Sequence, residues 1–482
     1  MYRQVAVAII GAGPAGLAAA AEVCKTTRDF VLIDNGGFGS TCARIGCQPS
    51  AVAAHLAAGL ARRRVLGVGG LPRSELLGNA HRSPAHATAL PPDREGLPAD
   101  ALIMGEARFI GPNTLRAGGQ TIQARSIVIA TGAGSEVPPY WRDILGDRLL
   151  TVETAFEQER LPASVAVIGL GPAGLVVAQV LHRLGVQVIG IESSQTIARL
   201  QDPLVKALAV DLLGREFPLW LGAPALVEPR GHQVLVRAGP HEALVDRVLV
   251  AVGRHPNLER LSLSQAGCAL DARGVPLHHA QHLRLGRLSI YIAGDAAGGV
   301  GGLARTAEQG RVAGYNACHR IPIALATGVP TTLVFSEPNI AWVGPSWSAL
   351  DQSFLMTAQM GVDALDGDPS PSRGRHPGLL RVYADRRDGR VLGGAMIGPG
   401  CERLAQALAW CVQRRLTAQE MVEMPLDQSA VTVVMQNIFN ELVSRVGHKQ
   451  AKPWPWGRLT WAGVQCGGGA RHHPGPVLGA RG

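Results

Sequence analysis

The sequence predicts an α/β protein in which two similar strand–turn–helix–strand units are followed by a smaller α+β region. Three observations carry that prediction. A glycine-patterned turn occurs twice, starting at Gly11 and at Gly169, each time between a β-branched run and an apolar helical stretch. The second strand of each unit ends in an acid, Asp34 and Glu192, both 23 residues beyond the unit's first glycine. From about Thr331 the texture changes to short strand candidates and amphipathic helices.

The bulk numbers bound the reading. At 482 residues the chain exceeds one ordinary core, so two to four domains are expected. A hydrophobic content of 46% with 17% charged residues fits a folded globular protein and argues against disorder. The net charge of +9 raises nucleic-acid binding, but the excess is scattered arginine with no RNA- or DNA-binding motif around it. A solvated surface is the better reading, and no nucleic-acid partner is expected. No stretch reaches the ~18 to 20 apolar residues of a membrane span, so no membrane association is expected. Tyr2 to Ala21 has the composition of a signal peptide, yet Gly11, Gly13, Pro14 and Gly16 break it for a reason of their own. Eight thinly spread cysteines are not a secreted disulfide scaffold, and a cytoplasmic location is expected.

The first unit reads as strand Val5–Ile10, the turn Gly11-Ala-Gly13-Pro-Ala-Gly16, a helix, and strand Phe30–Ile33. The second reads as Val165–Ile168, Gly169-Leu-Gly171-Pro-Ala-Gly174, a helix, and Val186–Ile191. In such a unit the first glycine permits a tight turn and the second lets backbone approach a pyrophosphate. The third allows close helix–strand packing, and the helix N-terminus presents free N–H groups to the anion. The terminal acid suits a ribose diol. Two copies with matched spacing point to two Rossmann-like dinucleotide-binding domains rather than to two structural turns.

Later strands fit this scheme. Ser126–Gly132, carrying Thr131, and Arg247–Gly253 each end in glycine, one late in each unit. Leu288–Asp295 delivers Asp295 to a glycine-rich loop, where it suits a cofactor's sugar or ribityl hydroxyls; the competing reading is a cap for the helix that begins near Leu303. In the last region strands are expected at Leu333–Phe335, Leu379–Tyr383 and Val391–Ile397. Helices are expected at Glu402–Arg414, Ala418–Met424 and Ala430–Ser444. Arg73–Pro98 reads as a loop, and the tail from Lys449 has no core-forming pattern. Cys466, His472 and His473 lack ligand spacing, as do His278 and His279, so no metal site is assigned.

Between the units' landmarks lies Gly39-Ser-Thr-Cys42-Ala-Arg-Ile-Gly46-Cys47-Gln-Pro49-Ser50. Two cysteines five apart close a short disulfide loop if their Cα atoms come within ~7 Å; otherwise they are two unrelated buried thiols. A nearby helix start would stabilise a thiolate.

Taken together, these segments resemble the pyridine nucleotide–disulfide oxidoreductases, most closely the dihydrolipoyl dehydrogenases, over about residues 4 to 445. The matching motifs are the two glycine units, Cys42 to Ser50, Ala-Thr-Gly at 130–132, AVGRHPN at 251–257, AGD at 293–295 and FSEPNIAWVG at 335–344. The resemblance implies FAD on residues 1–150 and 271–330, NAD on 151–270 and a homodimerisation domain at 331–447; the patternless tail at 448–482, beyond it, is expected to be disordered. It places cofactor contacts at Gly11, Gly13, Gly16, Asp34, Ala107, Thr131, Gly132 and Asp295 for FAD. For the nicotinamide nucleotide it places them at Gly169, Gly171, Gly174, Glu192 and Gly253. It makes Cys47 the thiol facing the flavin and Cys42 the one exchanging with substrate, and Glu192 implies NAD rather than NADP.

Three departures shape the functional expectation. Ala51 stands where the family has a lysine, and Val176 where it has that lysine's glutamate, so both charges are lost together. Gln428, Ser429 and Val433 stand where the family has a His-Pro and a Glu. Glutamine cannot take a proton, so lipoamide turnover should fall by ~10² to 10⁴-fold. The mercuric-reductase pattern of paired C-terminal cysteines is also missing, since the tail offers only Cys466. The expected activity is therefore an FAD-dependent NAD(H) oxidoreductase whose partner is a small-molecule or protein disulfide or another electron acceptor. The alternatives are a catalytically impaired dimeric flavoprotein acting as a binding or sensing module, and an ordinary dihydrolipoyl dehydrogenase.

Overall fold

The computed structural model describes residues 1–36, 97–98, 100–155, 157–158, 160–299, 302–361, 378–425 and 430–446, of 430–432 the backbone alone. Its first sheet has the order β3 (Leu102–Met104), β2 (Phe30–Asp34), β1 (Tyr2–Ile10), β6 (Gln120–Ile129), β5 (Thr114–Ala117), β4 (Arg108–Gly111). β17 (Ile290–Ile292) returns from far along the chain to pair parallel with the end of β6. β1, β2, β3 and β6 run parallel, whereas β4 and β5 are antiparallel. β1 is buried continuously from Val5 to Ile10, as a strand covered on both faces requires. It begins at Tyr2, earlier than its apolar run, because Tyr2 to Gln4 pair with Thr121 to Gln123 and extend both strands through polar residues.

One face of this sheet is covered by α1 (Pro14–Cys24) and α5 (Leu303–Cys318), whose backbones touch. A Cβ on Gly310 or Gly314 would lie closer than 3.0 Å to the carbonyl oxygens of Ala15 and Ala19. Glycine in the middle of α5 therefore buys an approach that no other residue permits.

The second sheet is all parallel, in the order β11 (Leu219–Leu221), β10 (Gln187–Glu192), β9 (Ser164–Ile168), β15 (Arg247–Val250), β8 (Leu149–Thr151). α3 (Pro172–Arg183) and α4 (Pro203–Gly214) pack on one face. The other is covered by α2 (Pro139–Leu145) and an antiparallel hairpin sheet, β12 (Leu226–Arg230), β13 (Gln233–Ala238) and β14 (His241–Val245). A two-stranded ribbon, β7 (Ala133–Ser135) with β16 (Arg254–Pro256), ties the exit of the first sheet to the exit of the second.

The third sheet is antiparallel: β18 (Thr331–Val334), β19 (Ile340–Val343), β22 (Val391–Ile397), β21 (Leu379–Asp385), β20 (Leu355–Gly361). α6 (Cys401–Gln413), α7 (Ala418–Glu423) and α8 (Ala430–Arg445) cover one face, α7 starting with a Thr417–Glu420 capping box. The opposite face packs against α3 and α4 of the second unit.

Candidate functional site

Both glycine turns fold for the same reasons. Gly11 has φ +103° and Gly169 φ +95°, the left-handed region where a side chain is strained. A Cβ on either would also strike a carbonyl, of Ala130 or Ala251, at the end of the neighbouring strand. Gly16 and Gly174 sit one helical turn on, where a Cβ would meet the carbonyls of Gly11 and Gly169. Gly13 and Gly171 are the N-cap residues of α1 and α3, in extended conformation and with no side chain capping the helix. The first-turn N–H groups of both helices are thus left for a ligand, and the helix dipole adds to their attraction for an anion.

The two acids lock onto these turns in matching ways. Asp34 accepts from the Ala12 N–H at 2.6 Å and the Gly36 N–H at 2.8 Å. Glu192 accepts from the Leu170 N–H at 2.9 Å and the Ser194 N–H at 3.2 Å. Each carboxylate keeps lone pairs beyond these bonds, so each turn sets unbonded helix N–H groups beside a carboxylate with acceptor capacity to spare.

Around the first turn the fold collects Gly11, Gly13, Gly16, Asp34, Thr131, Gly132 and Asp295. Thr131 Oγ1 is buried with no hydrogen-bond partner among the described residues. Asp295 lies in a short turn, Gly294–Ala297, while the N-cap of α5 is Gly302, so the capping reading of Asp295 does not hold. Burial pushes the Asp295 carboxyl up, and the nearby Arg254 guanidinium opposes the shift. Arg254 Nε is 3.4 Å from Asp295, near enough for an ion pair yet not aligned for a hydrogen bond. A buried orphan hydroxyl and a desolvated, under-satisfied carboxylate suit a polar cofactor chain. Ala107 is buried in the core two residues past Gly105, whose N–H bonds the Asp34 carbonyl.

Gly169, Gly171, Gly174 and Glu192 assemble the second turn. Gly253 follows two residues after Ala251, at the end of the strand beside this turn, and lies against Glu136, whose carboxylate a Cβ there would strike. Sequence reasoning passed over Arg199, which has φ +60° and brings its Nε near Gly171. It also passed over the linkage of Arg254 to Glu153 and the Ala133 carbonyl. The AVGRHPN motif contained that arginine; only the folded ribbon shows which partners it meets.

Cys42, Cys47, Ala51, Gln428 and Ser429 lie outside the described residues, as do the 448–482 tail and all of the 73–98 loop except residues 97–98. Val176 is buried in the apolar core of the second unit, and Val433 on α8 is 42% exposed. Burial raises the thiol pKa of Cys24, Cys268, Cys318, Cys401 and Cys411, that of Cys411 to about 11. None of these five is an activated nucleophile.

The description pyridine nucleotide-disulphide oxidoreductase matches residues 5–311, and the dimerisation domain of the same family matches 329–426. The chain belongs to this family. Family members use FAD and NAD(P)H, and the chain is an FAD-dependent oxidoreductase of this type. It is 28% identical over 454 residues to the mercuric reductase of Acidithiobacillus ferrooxidans, covering 87% of this chain and 79% of that one. It is 27% identical over 439 residues to the dihydrolipoyl dehydrogenase of Thermus scotoductus, covering 86% and 92%. Two solved structures share the fold. LpdA from Mycobacterium tuberculosis has a TM-score of 0.78 at 24% identity, covering 91% of this chain and all of its own. The HOCl-induced flavoprotein disulfide reductase RclA from Escherichia coli has 0.74 at 21%, covering 90% and 99%. Among the described residues no helix is long and apolar enough to cross a membrane.

Proposed function

We propose that the chain is an NADH-linked flavoenzyme with FAD on the Gly11 unit, NAD(H) on the Gly169 unit and Cys42–Cys47 as the redox disulfide. The observation that carries this reading is the duplicated receptor, an uncapped helix N-terminus beside a carboxylate bonded to the turn's own N–H. When bound, flavin and nicotinamide supply the hydride chemistry. The protein's residues do the positioning. The α1 N-terminus and Asp34 hold one adenosine diphosphate portion, while Thr131 and Asp295 offer polar atoms to the rest of the flavin nucleotide. Glu192 repels a 2′-phosphate and favours NADH, and the α3 N-terminus takes the pyrophosphate with Arg199 close by.

At the disulfide, two electrons and two protons convert Cys42–Cys47 into two thiols. Cys42, as thiolate, then attacks an acceptor disulfide and releases one acceptor thiol, and Cys47 attacks the Cys42 sulfur of the mixed disulfide, releasing the second thiol and restoring the pair. Burial raises the thiols of the five described cysteines, which suits them poorly to this role, and the Cys42 to Ser50 motif supports giving it to Cys42 and Cys47. Gln428 and Val433 supply no proton acceptor, so exchange relies on solvent, and dihydrolipoamide should be a poor substrate. Residues 331–447 would form a homodimer, to which Trp410, 64% exposed on α6, offers apolar surface. The cytoplasm, which keeps dithiols reduced, is the fitting compartment.

The test compares wild type and Cys42→Ser with NADH and NADPH against a disulfide dye and a quinone. The expected result is NADH-dependent turnover of both acceptors by wild type, with only disulfide reduction lost in Cys42→Ser. Equal loss of both activities, or a purified protein that takes up no flavin, would overturn the reading.

A further inference from the structure

The first sheet has a second concave site, at the end opposite its glycine turn. A cavity of about 940 Å³ opens beside the middles of β1 and β6, at β17, and where α1 and α5 end. That is the size of a small-molecule pocket rather than of a macromolecular groove. Val7, on its wall, is four residues before Gly11, roughly 13 Å along the strand, so the cavity is separate from the turn.

Its lining is cationic. Arg125, Arg284 and Arg320 contribute to it, and none of its lining residues is an acid. Among the described residues no carboxylate pairs with any of these three arginines; the nearby Glu22 is engaged by Lys25 at 2.7 Å. Arg284 is held in place by the carbonyls of Leu288 and Arg287, both at 2.7 Å, which leaves Nη1 uncommitted. Three histidines add to the wall, each fixed through Nδ1. His282 donates to the Ile323 carbonyl at 3.1 Å and His319 to that of Tyr315 at 2.9 Å. His279 accepts the His282 N–H at 3.1 Å, so its Nε2 carries the proton. Tyr291, also in the lining, is 7% exposed, and its hydroxyl has no hydrogen-bond partner among the described residues. The ends of α1 and α5 oppose an anion with about half a negative charge each, which three full arginine charges outweigh.

We propose that this cavity binds a multiply charged, phosphate-bearing small molecule, with the arginines on its oxygens and the Tyr291 hydroxyl donating to it. Guanidinium forks match phosphate oxygens in pairs, and a tyrosine hydroxyl on the wall with no other partner can donate its proton to one more. Metal binding is the weaker reading, because among the described residues no three His, Cys, Asp or Glu side chains converge on one point.

The test is calorimetric titration of the full-length, flavin-loaded protein with sodium tripolyphosphate at constant ionic strength. Saturating NAD is included to cover the second glycine turn. The expected result is saturable one-site binding, weakened about tenfold in Arg320→Gln and again in Arg284→Gln. Arg320 is exposed and makes no side-chain hydrogen bond among the described residues, so its variant should melt like wild type. Tyr291→Phe keeps the ring in place and should weaken binding in the same direction. Unsaturable binding, or equal affinity in wild type and Arg320→Gln, would overturn the proposal.

Discussion

The two glycine units share a turn and differ in how the rest of the chain holds them. The first is anchored by backbone contact: Gly310 and Gly314 let α5 lie against the carbonyls of Ala15 and Ala19 on α1. The second is anchored by buried charge. Asp202, which caps α4, has a side chain with no exposure and accepts from Arg381 at 2.8 Å and from the Tyr383 hydroxyl at 2.7 Å, both on β21. Burial, then the Asp202 charge, push the Tyr383 hydroxyl pKa up, so it stays a donor. Arg183 on α3 adds a bridge from Glu216 at 2.9 Å to Glu337 at 2.6 Å. A small-residue contact positions one helix closely over the sheet; an ionic contact joins a unit to a neighbouring sheet with a fixed orientation. The same turn can therefore be reused while its support is rebuilt.

The largest expected effect comes from breaking the ionic anchor. Asp202→Ala leaves Arg381 buried and unpaired and removes a helix cap, which should cost about 3 to 5 kcal/mol in thermal or denaturant unfolding. Double replacement of Asp202 and Arg381 by apolar residues should recover part of that loss; no recovery would mean the pair is not the anchor. Breaking the packing anchor is next. Gly310→Ala inserts a methyl against the Ala15 carbonyl and should cost about 1 to 3 kcal/mol. It should also lower flavin retention, measured as flavin absorbance per protein, without altering NADH affinity.

Carboxylate removal sharpens the comparison at the turns themselves. Asp34→Ala should weaken FAD binding and Glu192→Ala should raise the KM for NADH, each about tenfold or more, as charged hydrogen bonds of ~1.5 to 3 kcal/mol imply. The two effects should not cross over. The smallest effect concerns acid. Arg387 hydrogen bonds hold the Asp385 carboxyl down to about 2, in the turn that joins β21 to β22. A depressed carboxyl stabilises above its unfolded pKa of ~3.9 and loses that contribution as pH falls toward 2. Asp385→Asn should flatten stability against pH in that window, read by unfolding midpoints between pH 4 and 2.

Much of this was legible in the residues. Gly11, Gly169, Asp34 and Glu192 announce their turns because local sterics dictate them, and every long helix expected after residue 400 lies within a residue or two of its place. The hairpin sheet at 226–245 was passed over, although Gly231 and Gly239, both with positive φ, mark its turns; Leu235 between Val234 and Val236 hides the alternation that burial shows there. The Asp202–Arg381 pair spans 179 residues and the Gly310–Ala15 contact joins two distant helices, so no local pattern encodes either. Arg254 was visible as a motif letter, but its role between Glu153 and Asp295 depends on the β7–β16 ribbon.

The most direct test of the two-unit redox account is an anaerobic NADH titration of the purified protein, following flavin absorbance and any long-wavelength thiolate–flavin band. The account predicts uptake of one two-electron equivalent beyond the flavin's own, with such a band, and loss of both in Cys47→Ser. Bleaching complete after a single equivalent in wild type, with no band, would contradict it.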